Sequence, residues 1–336
     1  MSFRRLFAAA SLSLAVLATP LVALAWNSPG HMIVALIAYD QLDPATKAKA
    51  VALLREHPRF NAHFQGEMPR EIQRKGEHEK DEWVFAHAAT WPDQVRDAKG
   101  GVNHQDVTEF HRPWWHFIDE PVFLNDQERK ELQGQVRVNL RREPPEDRDD
   151  KDMNIIQALK NSKRIIADKS ESNAKRAVQL CWLLHLTGDS HQPLHSVGLM
   201  TTHRFRGNDH GGNYLELEHK WELHAFWDEQ ISSDDPYETL RILATDLDKN
   251  PKLQPIGVEA QKMLDPDKWI DESTVLAKKY AYTPELMAKV SAREGHSHLG
   301  PLELSAQYKA DAEEVGERRA MEAGYRLAKT IQQLLQ

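Results

Sequence analysis

One cysteine stands in the whole 336-residue chain. Cys181 therefore has no partner for an internal disulfide, and no Cys-rich zinc motif can be built. Its setting, AVQLCWLLHL, is apolar and predicts a buried free thiol. A surplus of basic side chains is missing too: 43 Lys and Arg face 51 Asp and Glu. A phosphate backbone is held by Lys and Arg, so the composition argues against a basic nucleic-acid-binding face. Any phosphate-handling role needs another source of positive charge, and bound divalent cations would supply it. Alternating apolar and polar runs are scarce; NYLELE (213–218) is the one candidate for a short strand. No internal repeat and no domain boundary is visible, and beyond residue 25 no stretch is apolar enough to span a bilayer.

The first 25 residues have the three parts of a secretory signal. Arg4 and Arg5 begin it. An apolar run from Leu6 to Leu24 follows, interrupted by Ser11, Ser13, Thr19 and Pro20, and it ends in the small-x-small pattern of Ala23 and Ala25. Cleavage there would make Trp26 the first residue of an exported protein, periplasmic or secreted, with no membrane anchor. The mature chain, 26–336, has 311 residues and a formal charge of −10 instead of −8. Without disulfides, an exported chain must be stabilised by its core or by metal.

What is abundant is helical periodicity. GHMIVALIAYDQL follows a start signal in which Ser28 is the expected N-cap and Pro29 the first-turn residue. NIIQALKNSKRIIA (154–167), AKRAVQLCWLLHLTGD (174–189), LHAFWDEQI (223–231) and ERRAMEAGYRLAKTIQQLL (317–335) carry apolar residues at helical spacing. RREPPEDRDDKD (141–152) reads as a solvated connection, and the Gly-rich 201–213 as a loop. The expectation is an all-α, single multi-helix domain with long loops over 26–336.

Histidine is abundant as well, with 17 in the chain. In HLTGDSHQPLH (185–195), His185 and Asp189 are four apart and share one helix face. Pro193 then ends the helix, and the chain can return to offer His195. His224 and Asp228, in LHAFWD, form a second pair of the same kind. Imidazole and carboxylate without thiolate suit zinc, with manganese or iron as alternatives. Upstream, Asp93 in TWPDQVRD and His116 in WWHFID each follow a tryptophan closely. His57, His63, His78, His296 and His298 read as surface or loop residues.

In order, WNSPGH (26–31), WPD, WHFID, HLTGDSHQPLH, GGNY (211–214), LHAFWD and the ending AGYRLA (323–328) resemble the zinc-dependent, single-strand-specific nucleases of the S1/P1 family. That group is related to bacterial zinc phospholipase C. The resemblance implies three zinc ions. One falls to Asp93, His116, His185 and Asp189. A second falls to the Trp26 α-amine and carbonyl, His31 and Asp189, which would bridge the two. The third falls to His195, His224 and Asp228. The same resemblance implies that Asp189 and Asp93 serve catalysis, and that Phe117 stacks on a base while Asp119 accepts its hydrogen bonds. Asn213 and Tyr214 would complete that pocket. Arg96 stands where the family often has lysine, able to contact phosphate or to form a surface ion pair. The implied substrates are single-stranded DNA, RNA and 3′-nucleotides, cut at the 3′-O–P bond by a monomeric enzyme to leave 5′-phosphates. His191, His87, His104, His111, His203, His210 and His219 have no ligand counterpart.

Two alternatives stay open on these residues. One is a zinc phospholipase C acting on phospholipid head groups, which the five-residue spacing of Trp26 and His31 and the aspartate at 228 disfavour. The other is a non-catalytic exported zinc-binding protein, which the dispersed ligands and open coordination positions disfavour.

Overall fold

The computed structural model describes residues 26–96, 103–233, 235–296 and 298–336. The leader, 1–25, lies outside them. The fold is all-α in character, as the periodicity implies. Its principal helices are α1 (Ser28–Gln41), α2 (Glu77–Ala88), α3 (Ile155–Ala167), α4 (Asn173–Asp189) and α5 (Ala306–Leu334). None of the helices among the described residues is long and apolar enough to cross a membrane.

α1 is the central element. Every residue from Ile33 to Tyr39 is buried, together with Gly30 and His31, so the helix is covered on all sides, as an apolar helix must be. It packs chiefly on α5, on the helix Tyr237–Lys249 and on α2. The crossing with α5 is close because of Gly324: a Cβ there would lie 2.4 Å from Ile37 Cγ2 and 3.3 Å from the Val34 carbonyl oxygen. α3 and α4 pack on each other, their N-termini capped by the Asn154 and Ser172 side chains. Cys181 is fully buried in this core, and burial pushes its thiol up, which keeps it inert.

The secondary structure differs from the sequence reading in four places. Asn27, not Ser28, caps α1, because its side chain accepts the Gly30 N–H at 2.9 Å. NYLELE forms no strand, only isolated bridges from Glu216 to Glu222 and from Leu217 to Leu302. Among the described residues the strands are instead β1 (Glu120–Phe123) and β2 (Val197–Met200), paired in parallel with Glu120 opposite Val197. The helix at LHAFWD stops at Asp228, whose carbonyl faces the Asn27 N–H at 3.5 Å. Finally, α5 begins at Ala306, one cap (Ser305) and three turns earlier than the apolar pattern indicates.

His57 and His63 are not surface residues but are 3 and 4% exposed. The Trp91 indole N–H donates to His63 Nδ1 at 3.0 Å, and His63 Nε2 lies 3.3 Å from Asp106. Trp91 and Asp106 satisfy the His63 imidazole inside the core, and Arg59 pairs with the same Asp106 carboxylate. This cluster sits beneath the WPD turn and fixes its tryptophan.

Candidate metal centre

Six stretches of backbone bring the candidate residues together. α1 offers His31 from its first turn, and α4 offers His185 and Asp189 from its last. The 3-10 turn Pro193–Ser196 brings back His195, and the helix Leu223–Asp228 supplies His224 and Asp228. Asp93 comes from the short WPD helix and His116 from the turn before β1. The ligand atoms fall into three groups, each within 4.8 Å: His31, His185 and Asp189; Asp93, His116 and His185; His195, His224 and Asp228.

Asp189 is the hinge between the first two groups. Its Oδ1 lies 3.2 Å from His31 Nε2, while its Oδ2 lies 3.1 Å from His116 Nδ1 and 3.2 Å from His185 Nε2. One carboxylate thus turns an oxygen toward each group. His31 and His185 stack with ring centroids 3.9 Å apart. Gly188 makes this approach possible, since a Cβ there would stand 2.7 Å from His31 Nδ1. Trp26 is fully buried beside them, and its indole N–H donates to the Gly188 carbonyl at 2.9 Å.

The donor set fits divalent cations, and the proton positions say why. His185, His195 and His224 each direct Nδ1 at a backbone carbonyl: Ala89 at 2.8 Å, His116 at 2.7 Å and Gly211 at 2.7 Å. A carbonyl only accepts, so each Nδ1 carries the proton and each Nε2 presents a lone pair. The Nε2 atoms of His195 and His224 nevertheless face each other at 3.2 Å. Two lone pairs so placed repel unless a cation lies between them. Carbonyl-anchored imidazoles of this kind are the usual outer support of metal ligands. Buried polar atoms without a hydrogen-bond partner gather in the same place: His31 Nε2, Asp93 Oδ1, Asp189 Oδ1 and Asp228 Oδ2.

The electrostatics agree. Burial pushes the Asp228 carboxyl well above its usual range, against the Gln192 amide and with help from Asp189 and Asp93. Burial also drives His116 down to about 3 and lowers His31, assisted by its neighbour His185. Asp189 is raised by burial, yet the imidazoles around it, His185 and His195 first, more than reverse this and hold it well below the carboxylate range. His31 and His116 thus stay neutral beside an ionised Asp189 carboxylate that has no Lys or Arg partner among the described residues, a shortage of positive charge that metal would make good.

Arg96 lies beside Asp93, with Nη1 at 3.3 Å from Oδ1. Phe117 and Asp119 line a cavity of about 330 Å³ with Trp114, Arg137 and Asn139. Asp119 Oδ2 accepts from Asn208 at 2.9 Å, and burial raises this carboxyl to about 6. Asn213 and Tyr214 lie on the loop between His210 and the helix Leu223–Asp228. The Asn213 amide donates to the His210 carbonyl at 2.6 Å, and Tyr214, 46% exposed, packs its ring edge on His210. Neither is among the residues that line this cavity.

The site also depends on residues that sequence reading did not single out. Gln192 donates to Asp228 Oδ1 at 2.7 Å and accepts from the Leu194 N–H, so it ties one metal group to the HQPLH turn. Behind that turn lies a buried clamp. Arg319 donates to the His191 carbonyl (3.2 Å), and Arg326 to His191 Nε2 (2.9 Å). Both arginines pair with Glu272, and Ser273 Oγ donates to the Ser190 carbonyl at 2.7 Å. His191 donates from Nδ1 to the Thr187 carbonyl at 2.7 Å. Burial and the two arginines keep its ring neutral, well below the usual imidazole range. Its absence from the ligand groups follows: both nitrogens are already engaged.

Comparison with known proteins points the same way as the geometry. The family described as S1/P1 Nuclease matches residues 26–336. Endonuclease 1 of Arabidopsis thaliana is 26% identical over 257 residues, covering 71% of this chain and 71% of its own length. Nuclease S1 of Aspergillus oryzae (strain ATCC 42149 / RIB 40) is 24% identical over 261 residues, covering 73% and 77%. Because the family match spans every element that contributes to the three His/Asp groups, from Trp26 through Asp228 to α5, the chain belongs to the S1/P1 nuclease family.

Proposed function

We propose that this member of a nuclease family is a zinc-dependent phosphodiesterase. Its substrates would be single-stranded DNA and RNA, and 3′-nucleotides, cut at the 3′-O–P bond to leave 5′-phosphates. The observation that carries the reading is the meeting of three His/Asp groups in one buried centre, two of them joined by the Asp189 carboxylate. Asp93, His116, His185 and Asp189 would hold one zinc; the Trp26 α-amine and carbonyl, His31 and Asp189 a second; His195, His224 and Asp228 a third. Zinc, when bound, would supply the concentrated positive charge and the acidification of water that phosphodiester hydrolysis needs.

The chain's own groups supply the rest. The Nδ1–H bonds to backbone carbonyls hold His185, His195 and His224 in one tautomer. Arg96, seated against Asp93, offers a guanidinium for a phosphate oxygen. Phe117 presents a ring to one face of an unpaired base, which every base can accept and a paired base cannot. Asp119, held by Asn208, accepts from the base edge. Asn213 and Tyr214, on the loop before His224, would border the base from the other side. The enzyme would act as a monomer outside the cytoplasm, after removal of residues 1–25.

The test is to incubate purified 26–336 with single-stranded DNA, RNA, 3′-nucleotides and phosphatidylcholine, with and without chelator. Chelator-sensitive cleavage of the nucleic acids supports the proposal. Cleavage of phosphatidylcholine alone would replace it with a lipase, and cleavage of nothing would leave a zinc-binding protein.

A further inference from the structure

Phe117 and Phe123 stand at the two ends of one short strip of chain that runs away from His116. The strip is fixed in place: the Ile118 N–H donates to the His195 carbonyl at 2.9 Å, and Glu120–Phe123 pair with Val197–Met200. The near end faces the cavity around Asp119. The far end faces a second, larger hollow of about 630 Å³, lined by Pro121, Phe123, Leu140 and Tyr282 with Arg129 and Lys278.

The two hollows share both walls. On one side, residues 136–140 form a ridge: Arg137, Val138 and Asn139 line the first hollow, Val136 and Leu140 the second. On the other side, Asn208 donates to Asp119 in the first. The next residue, Asp209, accepts from the Tyr282 hydroxyl at 2.8 and 2.9 Å, and Tyr282 lines the second. The six residue-to-residue steps from Phe117 to Phe123, fully extended, reach at most about 20 Å, the span of a few nucleotides. The charges are distinctive in an acidic chain. The Lys278 side chain makes no ion pair or hydrogen bond among the described residues, and Arg129 is only 3.9 Å from an exposed Asp126, a contact of little energetic weight.

We propose that this second hollow is a track for the neighbouring nucleotides of the strand being cut, with Lys278 and Arg129 meeting phosphates and Phe123 meeting a base. An aromatic ring beside cations is the general recipe for sequence-tolerant single-strand binding. The proposal rests on the nuclease reading above and adds that the enzyme grips substrate beyond the scissile linkage. Its consequence is a preference for longer strands over dinucleotides, set by residues that touch neither the metal groups nor the first cavity.

The experiment compares zinc-loaded 26–336 with Lys278→Gln/Arg129→Gln and with Phe123→Ala on two substrates, a thymidine dinucleotide and a ten-residue oligothymidylate. The double variant should lower kcat/KM for the oligomer about tenfold and leave the dinucleotide unchanged. It should also flatten the plot of log(kcat/KM) against log salt by about 1.4, which is about 0.7 for each lost phosphate contact on a single strand. Phe123→Ala should cost about fivefold or more on the oligomer alone. Equal losses on both substrates, or none on either, would overturn the track. Failure of the unmutated protein to cut either substrate would instead overturn the nuclease reading.

Discussion

Replacing Gly188 by alanine adds one methyl group and removes no ligand. The new Cβ would stand 2.7 Å from His31 Nδ1 and 3.1 Å from His31 Cε1, so the imidazole must recede by about 1 Å to reach ordinary contact. It has nowhere to go. Its ring stacks on His185 at 3.9 Å, it is 1% exposed, and every residue of its helix from Ile33 to Tyr39 is buried. Overpacking of this kind costs about 1–3 kcal/mol, while alanine in place of glycine within a helix returns up to about 1 kcal/mol. The metal-free protein should therefore lose about 0–2 kcal/mol. A ligand displaced by about 1 Å lies well outside the tolerance of a metal bond. A 10–100-fold loss of affinity at the His31 group is expected, comparable to losing outer-shell support. Zinc content after dialysis against a weak chelator, with melting curves before and after EDTA, separates the two effects. The variant should hold one zinc fewer and gain less thermal stability from metal, while its melting point in EDTA changes little. Wild-type zinc content with wild-type affinity would refute the claim that Gly188 admits His31 to the centre.

Three more outcomes follow from named contacts. Asp189→Asn should lower both zinc content and turnover, the latter by at least about a hundredfold, because Oδ1 and Oδ2 each face a different group; near wild-type rates with two bound zincs would contradict the bridge. One extra residue before Trp26, or an uncleaved leader, removes the free amine from a fully buried position and should lower zinc occupancy at the His31 group and activity together, whereas full activity of the intact precursor would oppose this. Burial raises the Asp209 carboxyl to about 7, so between about pH 4 and 7 the native state holds a proton that the unfolded chain has lost. Stability should therefore fall as pH rises through that window, by up to about 4 kcal/mol. Denaturant titrations of Asp209→Asn should lack this slope; a parallel pH course in the variant and the parent would show that Asp209 does not carry it.

The local signals in the chain were easier to read than the distant pairings. His185, Asp189, His224 and Asp228 announce themselves through i, i+4 spacing on apolar helices, and the structure places their side chains in the same buried centre. The helix at 154–167 is bounded within a residue because Asn154 supplies a capping box. The parallel pairing of β1 with β2 was not legible, since each strand has four residues and the partners lie 77 positions apart. The burial of His57 and His63 was hidden for a related reason: their partners Trp91 and Asp106 come from other segments. AGYRLA was visible as a motif, but not what it does. Gly324 lets α5 approach α1, and Arg326 reaches His191 behind the metal-bearing turn. The cavity beside Phe117 drew walls from residues 137–154, a stretch whose polar composition gave no sign of a site.

The most direct measurement is anomalous diffraction at the zinc edge from crystals of mature 26–336. Three peaks are expected: one between Asp93, His116, His185 and Asp189, one between the Trp26 amine, His31 and Asp189, and one between His195, His224 and Asp228. Peaks confined to surface histidines, or none within these three groups, would contradict the metal centre on which the proposed chemistry depends.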